Sequence, residues 1–242
     1  MIKLLSATAL ALACASAGAQ VTVFTTDFNA GLAPQIAPGT ALLEGVQGFG
    51  GLGPAGASFS GNFLRSATGN TVTLTLGALP VHSTISLDLL FAAIDSLDGT
   101  GSFPSGDFLR ITLDGTQIFR ESFANAQISQ TQSYVSPAGV DLARRSDLGF
   151  GGPGGFFTDS AYNFAADPQF DNFAHSASSA VFTFVIEGEG IQSLSDESWA
   201  MDNLRVSVNS NMAPIPEPET YALMLAGLAA VGLAVRRRRA TL

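Results

Sequence analysis

Three short acidic stretches hold the side chains best placed to do chemistry. Asp95-Ser96-Leu97-Asp98-Gly99 is followed by Gly106-Asp107, Asp27-Phe28-Asn29 closes an apolar run near the start, and Asp196-Glu197-Ser198-Trp199-Ala200-Met201-Asp202-Asn203-Leu204 opens the last one. Carboxylates, amides and carbonyls on loops are the ligands of calcium, which takes about six to eight oxygens. None of the stretches has the spacing of an EF-hand, and Asp-Asn and Asp-Gly pairs also make turns, so both readings stand. For acid–base work, Glu187 and Glu189 lie two apart, about 6.6 Å along one strand face, inside the separation of about 5 to 9 Å that glycoside hydrolysis needs. Their Glu-Gly-Glu-Gly setting reads equally as a solvated strand end. His82 and His175 are the only histidines, and no GxSxG elbow occurs. Gly51-Leu52-Gly53-Pro54-Ala55-Gly56 fits GxGxxG in form, but no buried strand precedes it and no helix follows. Sugar stacking would fall to Trp199, Tyr134 or Tyr162, and the alternation around Trp199 points it into a core.

These residues sit in a chain patterned for β structure. Val72–Leu76 and Ser83–Leu89 alternate apolar and polar residues with period two, as half-buried strands do. Phe108–Leu113 and Thr116–Phe123 flank Asp114-Gly115, which predicts a hairpin closed by a type I′ turn. The pattern predicts antiparallel strands at 21–28, 71–76, 84–94, 107–113, 116–123, 181–187 and 199–208, and a helix at 220–236. The expected fold is all-β, an antiparallel jelly-roll-like sandwich over residues 20–210. Two glycine-rich loops, with seven glycines in 45–61 and five in 149–155, have no assigned partner. Residues 124–179 show no clear element and read as an insertion held down by Phe156, Phe157, Phe164, Phe170 and Phe173.

Composition narrows the function classes. Between Gln20 and Met212 there are 18 Asp/Glu, 6 Arg and no Lys, an excess of twelve negative charges. Nucleic-acid binding is excluded, since phosphate neutralisation needs clustered cations. Met1-Ile2-Lys3, the apolar Leu4–Ala15 and Ala17-Gly18-Ala19 have the layout of a secretory signal peptide, residues 1–19, cut after Ala19. A lipoprotein signal acylated at Cys14 is the competing reading. Cys14 is the single cysteine, so a mature chain cut after Ala19 has neither disulfides nor thiol chemistry.

The other end has three parts in order. Residues 211–220 form a Pro/Glu linker, 221–235 an uncharged run of 15 residues, and 236–242 a tail with Arg236, Arg237, Arg238 and Arg239. As a helix the run spans roughly 22 Å, short of a hydrocarbon core of ~30 Å. Four arginines resist translocation and keep the tail cytoplasmic, leaving everything upstream outside. Glu217 and Glu219 at the helix start and the arginines at its end both suit the helix dipole. By physics alone this is a short single-pass anchor.

Pro216-Glu217-Pro218, a short Ala/Leu/Gly helix and a terminal arginine cluster resemble the PEP-CTERM sorting signal, over about an eighth of the chain. The resemblance implies export by a Gram-negative bacterium, processing by exosortase, a membrane-embedded cysteine transpeptidase, and a helix that holds the chain in the inner membrane only until cleavage. Separately, an Asp in the first strand, an Asp-x-x-Asp-Gly loop and a final Glu-Ser-Trp-Ala-Met-Asp-Asn strand resemble calcium-containing lectin-like or carbohydrate-binding sandwiches. That resemblance implies a structural calcium shared by first and last strands, with Asp27, Asp202 and Glu197 as ligands. The expected function is a non-enzymatic, biofilm-associated surface or matrix protein. A calcium-dependent module for extracellular polysaccharide is the alternative, and a secreted glycosidase a third reading.

Overall fold

The computed structural model describes residues 19–100, 106–210, 223–228 and Arg236. Residues Gln20–Ser210 form one compact unit. The described residues form thirteen strands: β1 (Ala19–Thr26), β2 (Ile36–Ala37), β3 (Leu42–Gly45), β4 (Asn62–Ala67), β5 (Val72–Leu76), β6 (His82–Asp95), β7 (Phe108–Leu113), β8 (Thr116–Ser122), β9 (Asp141–Ser146), β10 (Asp159–Asn163), β11 (Phe173–Ala174), β12 (Ala180–Glu187) and β13 (Glu197–Ser210). They make two antiparallel sheets. One runs β3-β4-β13-β6-β10-β9, with β1 also on β13 and β11 also on β6; the other runs β2-β5-β12-β7-β8. Leu74, Ile111 and Phe182 from the small sheet meet Leu87, Phe91 and Val206 from the large one in a common core.

All seven strands expected from periodicity are present, within about two residues at each end. Asp114 and Gly115 both have positive φ, 50° and 79°, as a type I′ turn requires. The six unexpected strands, β2, β3, β4, β9, β10 and β11, are short or lie where polar and apolar residues do not alternate. In β10, Asp-Ser-Ala-Tyr-Asn, all five residues are buried. The stretch 124–179 is therefore no insertion: β10 pairs with β6 through Ser160↔Ala93 to Asn163↔Leu90 and extends the large sheet.

The switch in β6 from alternation to a continuous apolar run has a structural cause. Leu87, Leu89, Phe91 and Ala93 face the inter-sheet core. Leu90, Ala92 and Ile94 point the other way, into a second core with Val46, Phe49, Phe59, Phe63 and Phe150. A strand buried on both faces loses its polar face. The glycine-rich loops supply Phe49, Phe59 and Phe150 to this outer layer, packed with Phe63 of β4 at ring-centroid distances of 5.4 to 6.4 Å.

At the C-terminus, residues 223–228 are helical and exposed, as is Arg236. Among the described residues no helix is long and apolar enough to cross a membrane. The signal peptide, the linker, most of the expected helix and Arg237–Arg239 lie outside the described residues.

Candidate functional site

The ends of β6 and β13 bring carboxylates together. Pairing of Glu197 with Asp95 sets the register of these two long strands. Asp95, at φ 63°, turns the chain out of the sheet toward Asp98, and Asp107 returns it into β7. One carboxylate oxygen each from Asp98, Asp107 and Glu197 lies within 4.8 Å of the others. Gly99 holds this turn close, because a Cβ there would stand 2.3 Å from the carbonyl oxygen of Thr131. Each carboxylate is oriented by a neighbour. Gln192 Nε2 donates to Glu197 Oε1 at 2.9 Å, Gln130 Nε2 donates to Asp98 Oδ1 at 2.7 Å, and the backbone N–H of Asp98 donates to Asp107. Glu197 is 0% exposed, and its Oε2 makes no hydrogen bond. Burial, with Asp107 and Asp98 close by, pushes its carboxyl up to about 9. Burial likewise raises Asp107 to about 6, and raises Asp98.

A second buried group lies beside the first. Asp159 accepts from the backbone N–H groups of Asp95 and Leu148 at 3.0 Å, yet burial still pushes it up to about 7. Asp95 is raised to about 6 by burial, against the pull of Arg65. Arg65 donates to Asp95, Glu44, Ser198 Oγ and the carbonyl of Leu194, and its guanidinium lies 4.4 Å from the ring of Phe150.

The ligand set expected from sequence, Asp27, Asp202 and Glu197, does not converge. β1 and β13 are neighbours, and Asp27 is near enough to Asp202 to raise its carboxyl, which burial already drives to about 7. Asp202 accepts from the backbone N–H groups of Asn203 and Ser60. Glu197, however, stands five residues back along β13, roughly 17 Å in an extended strand. It belongs with Asp98 and Asp107 instead. The acidic stretch around Asp98 was visible in the sequence; its meeting with Glu197 was not.

Other candidates take bland places. Glu187 is gripped by Arg110 at 2.7 Å and Arg120 at 2.9 Å. Its burial works to raise the carboxyl, but the two arginines outweigh it and leave it below the usual range. That is the reverse of the raised carboxyl a general acid needs. His82 and His175, remote in sequence, stack with Nε2···Nδ1 at 2.7 Å; their other nitrogens meet the carbonyl of Pro80 and Asp114 Oδ2. Every ring nitrogen is thus engaged. Trp199, Tyr134 and Tyr162 are buried, which removes them as stacking platforms for a sugar. The Gly51–Gly56 segment belongs to the loop covering the second core. Pro216, Glu217 and Pro218 lie outside the described residues, and Arg236 is the one described member of the basic cluster.

One open cleft, about 330 Å³, is lined by Asp88, Arg205, Asn163, Asn203, Leu90 and Pro54, among others. Arg205 Nε donates to Asp88 Oδ2 at 2.7 Å, and the buried Oδ1 of Asn163 makes no hydrogen bond.

Among solved structures, the chain is similar to the N-terminal CBM22-1–CBM22-2 tandem of Paenibacillus barcinonensis Xyn10C, at 15% identity and TM-score 0.37, over 84% of this chain and 52% of that one. The chain thus spans about half the length of that tandem. It is also similar to the CBM22-1 xylan-binding domain of the same enzyme, at 10% identity and TM-score 0.35, over 80% and 98% of the two chains. A third is the CBM22-1–GH10 portion of Clostridium thermocellum xylanase 10B in complex with xylohexaose, at 7% identity and TM-score 0.32, over 79% of this chain and 29% of that one. No curated protein matches the chain. A family match is local and falls on the three-part C-terminus: residues 214–239 are a PEP-CTERM protein-sorting motif.

Proposed function

We propose that this chain is an exported protein processed by an exosortase of a Gram-negative bacterium, and that its sandwich acts outside the cell as a non-catalytic surface or matrix module. The observation that carries the reading is the sorting motif at residues 214–239. Its parts divide the work. Pro216-Glu217-Pro218 is the segment that the sorting enzyme would read. The apolar run 221–235 holds the chain in the inner membrane until cleavage, and Arg236–Arg239 stop it from slipping through. The acidic sandwich, with six arginines and no lysine, suits a solvated exterior. The pairing of the Glu187 carboxylate with Arg110 and Arg120 supports a non-catalytic role.

The test separates recognition from membrane insertion. Glu217→Ala leaves the apolar run and arginines intact, so full-length precursor should accumulate in the inner membrane of the native host. Replacing Arg236–Arg239 with Ser should instead release unprocessed chain from the membrane. Mass spectrometry of wild-type surface material decides the matter: mature protein still carrying residues 222–235 would overturn removal and leave a plain anchor.

A second reading, binding of a polyhydroxylated ligand such as extracellular polysaccharide, is favoured by the cleft beside the Asp88–Arg205 pair. Glycan-array binding by the full chain that disappears in Asp88→Asn would support it, and an empty array would remove it.

A further inference from the structure

We infer that Asp98, Asp107 and Glu197 form a binding site for a divalent cation, calcium by donor chemistry, which clamps the connection between β6 and β7 onto the start of β13.

Three features meet here. The first is spacing. A calcium–oxygen bond is about 2.3 to 2.6 Å, so two ligands on opposite sides of the ion stand about 4.6 to 5.2 Å apart. One oxygen from each carboxylate lies within 4.8 Å of the others, a spacing compatible with ligation of one shared ion. The second is an orphaned atom. Glu197 is wholly buried, its Oε1 is held by Gln192, and its Oε2 has no hydrogen-bond partner. A buried acceptor without a partner costs free energy, and a cation satisfies it. The third is orientation from behind. Gln192 and Gln130 each hold one oxygen of the Glu197 and Asp98 carboxylates, the kind of outer contact that orients metal ligands.

The donor set selects the metal class. All three donors are carboxylate oxygens, which suit hard cations and disfavour zinc or copper, and the histidines are committed to each other, to Pro80 and to Asp114. Asp98 is half-buried while Asp107 and Glu197 are buried, so an ion enters past Asp98. The clamp joins residues about ninety positions apart, and two isolated bridges, Asp98↔Ala124 and Thr100↔Thr131, pin the same connection from its other side. Extracellular modules hold calcium with Kd of about 10⁻⁴ to 10⁻³ M, which sets the titration range.

The experiment uses the purified full-length chain in detergent, stripped with chelator and titrated with calcium chloride by calorimetry and by thermal melting. One ion per chain is expected, with Tm raised by roughly 5 to 10 °C at a hundredfold excess over Kd. Glu197→Gln and, separately, Asp98→Asn should weaken binding by at least about tenfold. In chelator the near-isosteric Glu197→Gln should melt close to wild type, so that its loss of calcium binding is not a loss of fold. Asp202→Asn, at the far end of the strand, should bind as wild type does. Absence of both calcium heat and a Tm rise would overturn the inference. So would calcium binding that survives Glu197→Gln, or that disappears in Asp202→Asn alone, which would move the ion to the Asp27–Asp202 end.

Discussion

Replacing Arg65 with Met should be among the costliest single changes to the sandwich. The Arg65 side chain is 9% exposed and Asp95 is 2% exposed, with Nη2 and Oδ2 3.4 Å apart. Arg65 also donates to Ser198 Oγ and the Leu194 carbonyl, both at 2.9 Å, and to Glu44 at 3.0 Å. Met keeps most of the apolar stem but strands the Asp95 carboxylate in a buried site. Removing one partner of a buried pair costs about 3 to 5 kcal/mol, most of it the penalty of the charge left behind. In a unit of this size 1 kcal/mol moves Tm by about 2 to 4 °C, so a fall of roughly 6 to 20 °C is expected. The double variant Arg65→Met/Asp95→Asn should recover more than half of that loss, since it removes the stranded charge as well. Because Asp95 titrates at about 6, the gap between Arg65→Met and wild type should narrow at pH 5, where the neutral acid needs no cation. Thermal melts at pH 5 and 7.5 supply every quantity. A single variant within about 1 kcal/mol of wild type, or a double variant that loses the sum of both singles, would refute the reasoning.

Two further outcomes follow from the same groups and from the outer layer. In chelator, stability should fall as pH rises: the folded state keeps the protons of Asp159 up to about 7 and of Glu197 up to about 9, while unfolded carboxyls lose theirs near pH 4, so the folded chain binds more protons across that window. Melting temperatures from pH 5 to 8.5 check this, and a Tm that rises with pH contradicts it. Phe49→Ala should cost about 3 to 5 kcal/mol, concentrated in the second core, and should open loop 46–59 to protease at temperatures where the inter-sheet core is still folded; cleavage that waits for global unfolding would show that the two layers melt as one.

The features legible in the sequence are those written locally. Alternation in Val72–Leu76 or Phe182–Ile186 reports a strand with one buried face, whatever its partner. Asp114-Gly115 reports its turn because both residues tolerate positive φ. The sorting motif is read the same way, from the order of prolines, apolar run and arginines along 26 contiguous residues. Among the strands that escaped notice, β10 and β4 are those whose polar side chains are buried. Asp159 and Ser160 of β10 are buried because Asp95, Leu148 and Asn125, all distant in sequence, hydrogen-bond to them. A residue pattern records which side chains are polar; it does not record that a far segment will satisfy them. The glycine-rich loops are a similar case, since Phe49 and Phe59 look like loop decoration until Leu90, Ala92 and Ile94 present an apolar face beneath them. The carboxylate cluster needed the tertiary structure most. Asp98, Asp107 and Glu197 are joined by the register of β6 on β13, and a slip of one residue would send Glu197 to the opposite face of the sheet. The resemblance to calcium-containing sandwiches implied that Glu197 joins Asp202 on the same strand; the straightness of an extended strand keeps those two apart, and the pairing of distant strands brings Asp98 and Asp107 to Glu197 instead.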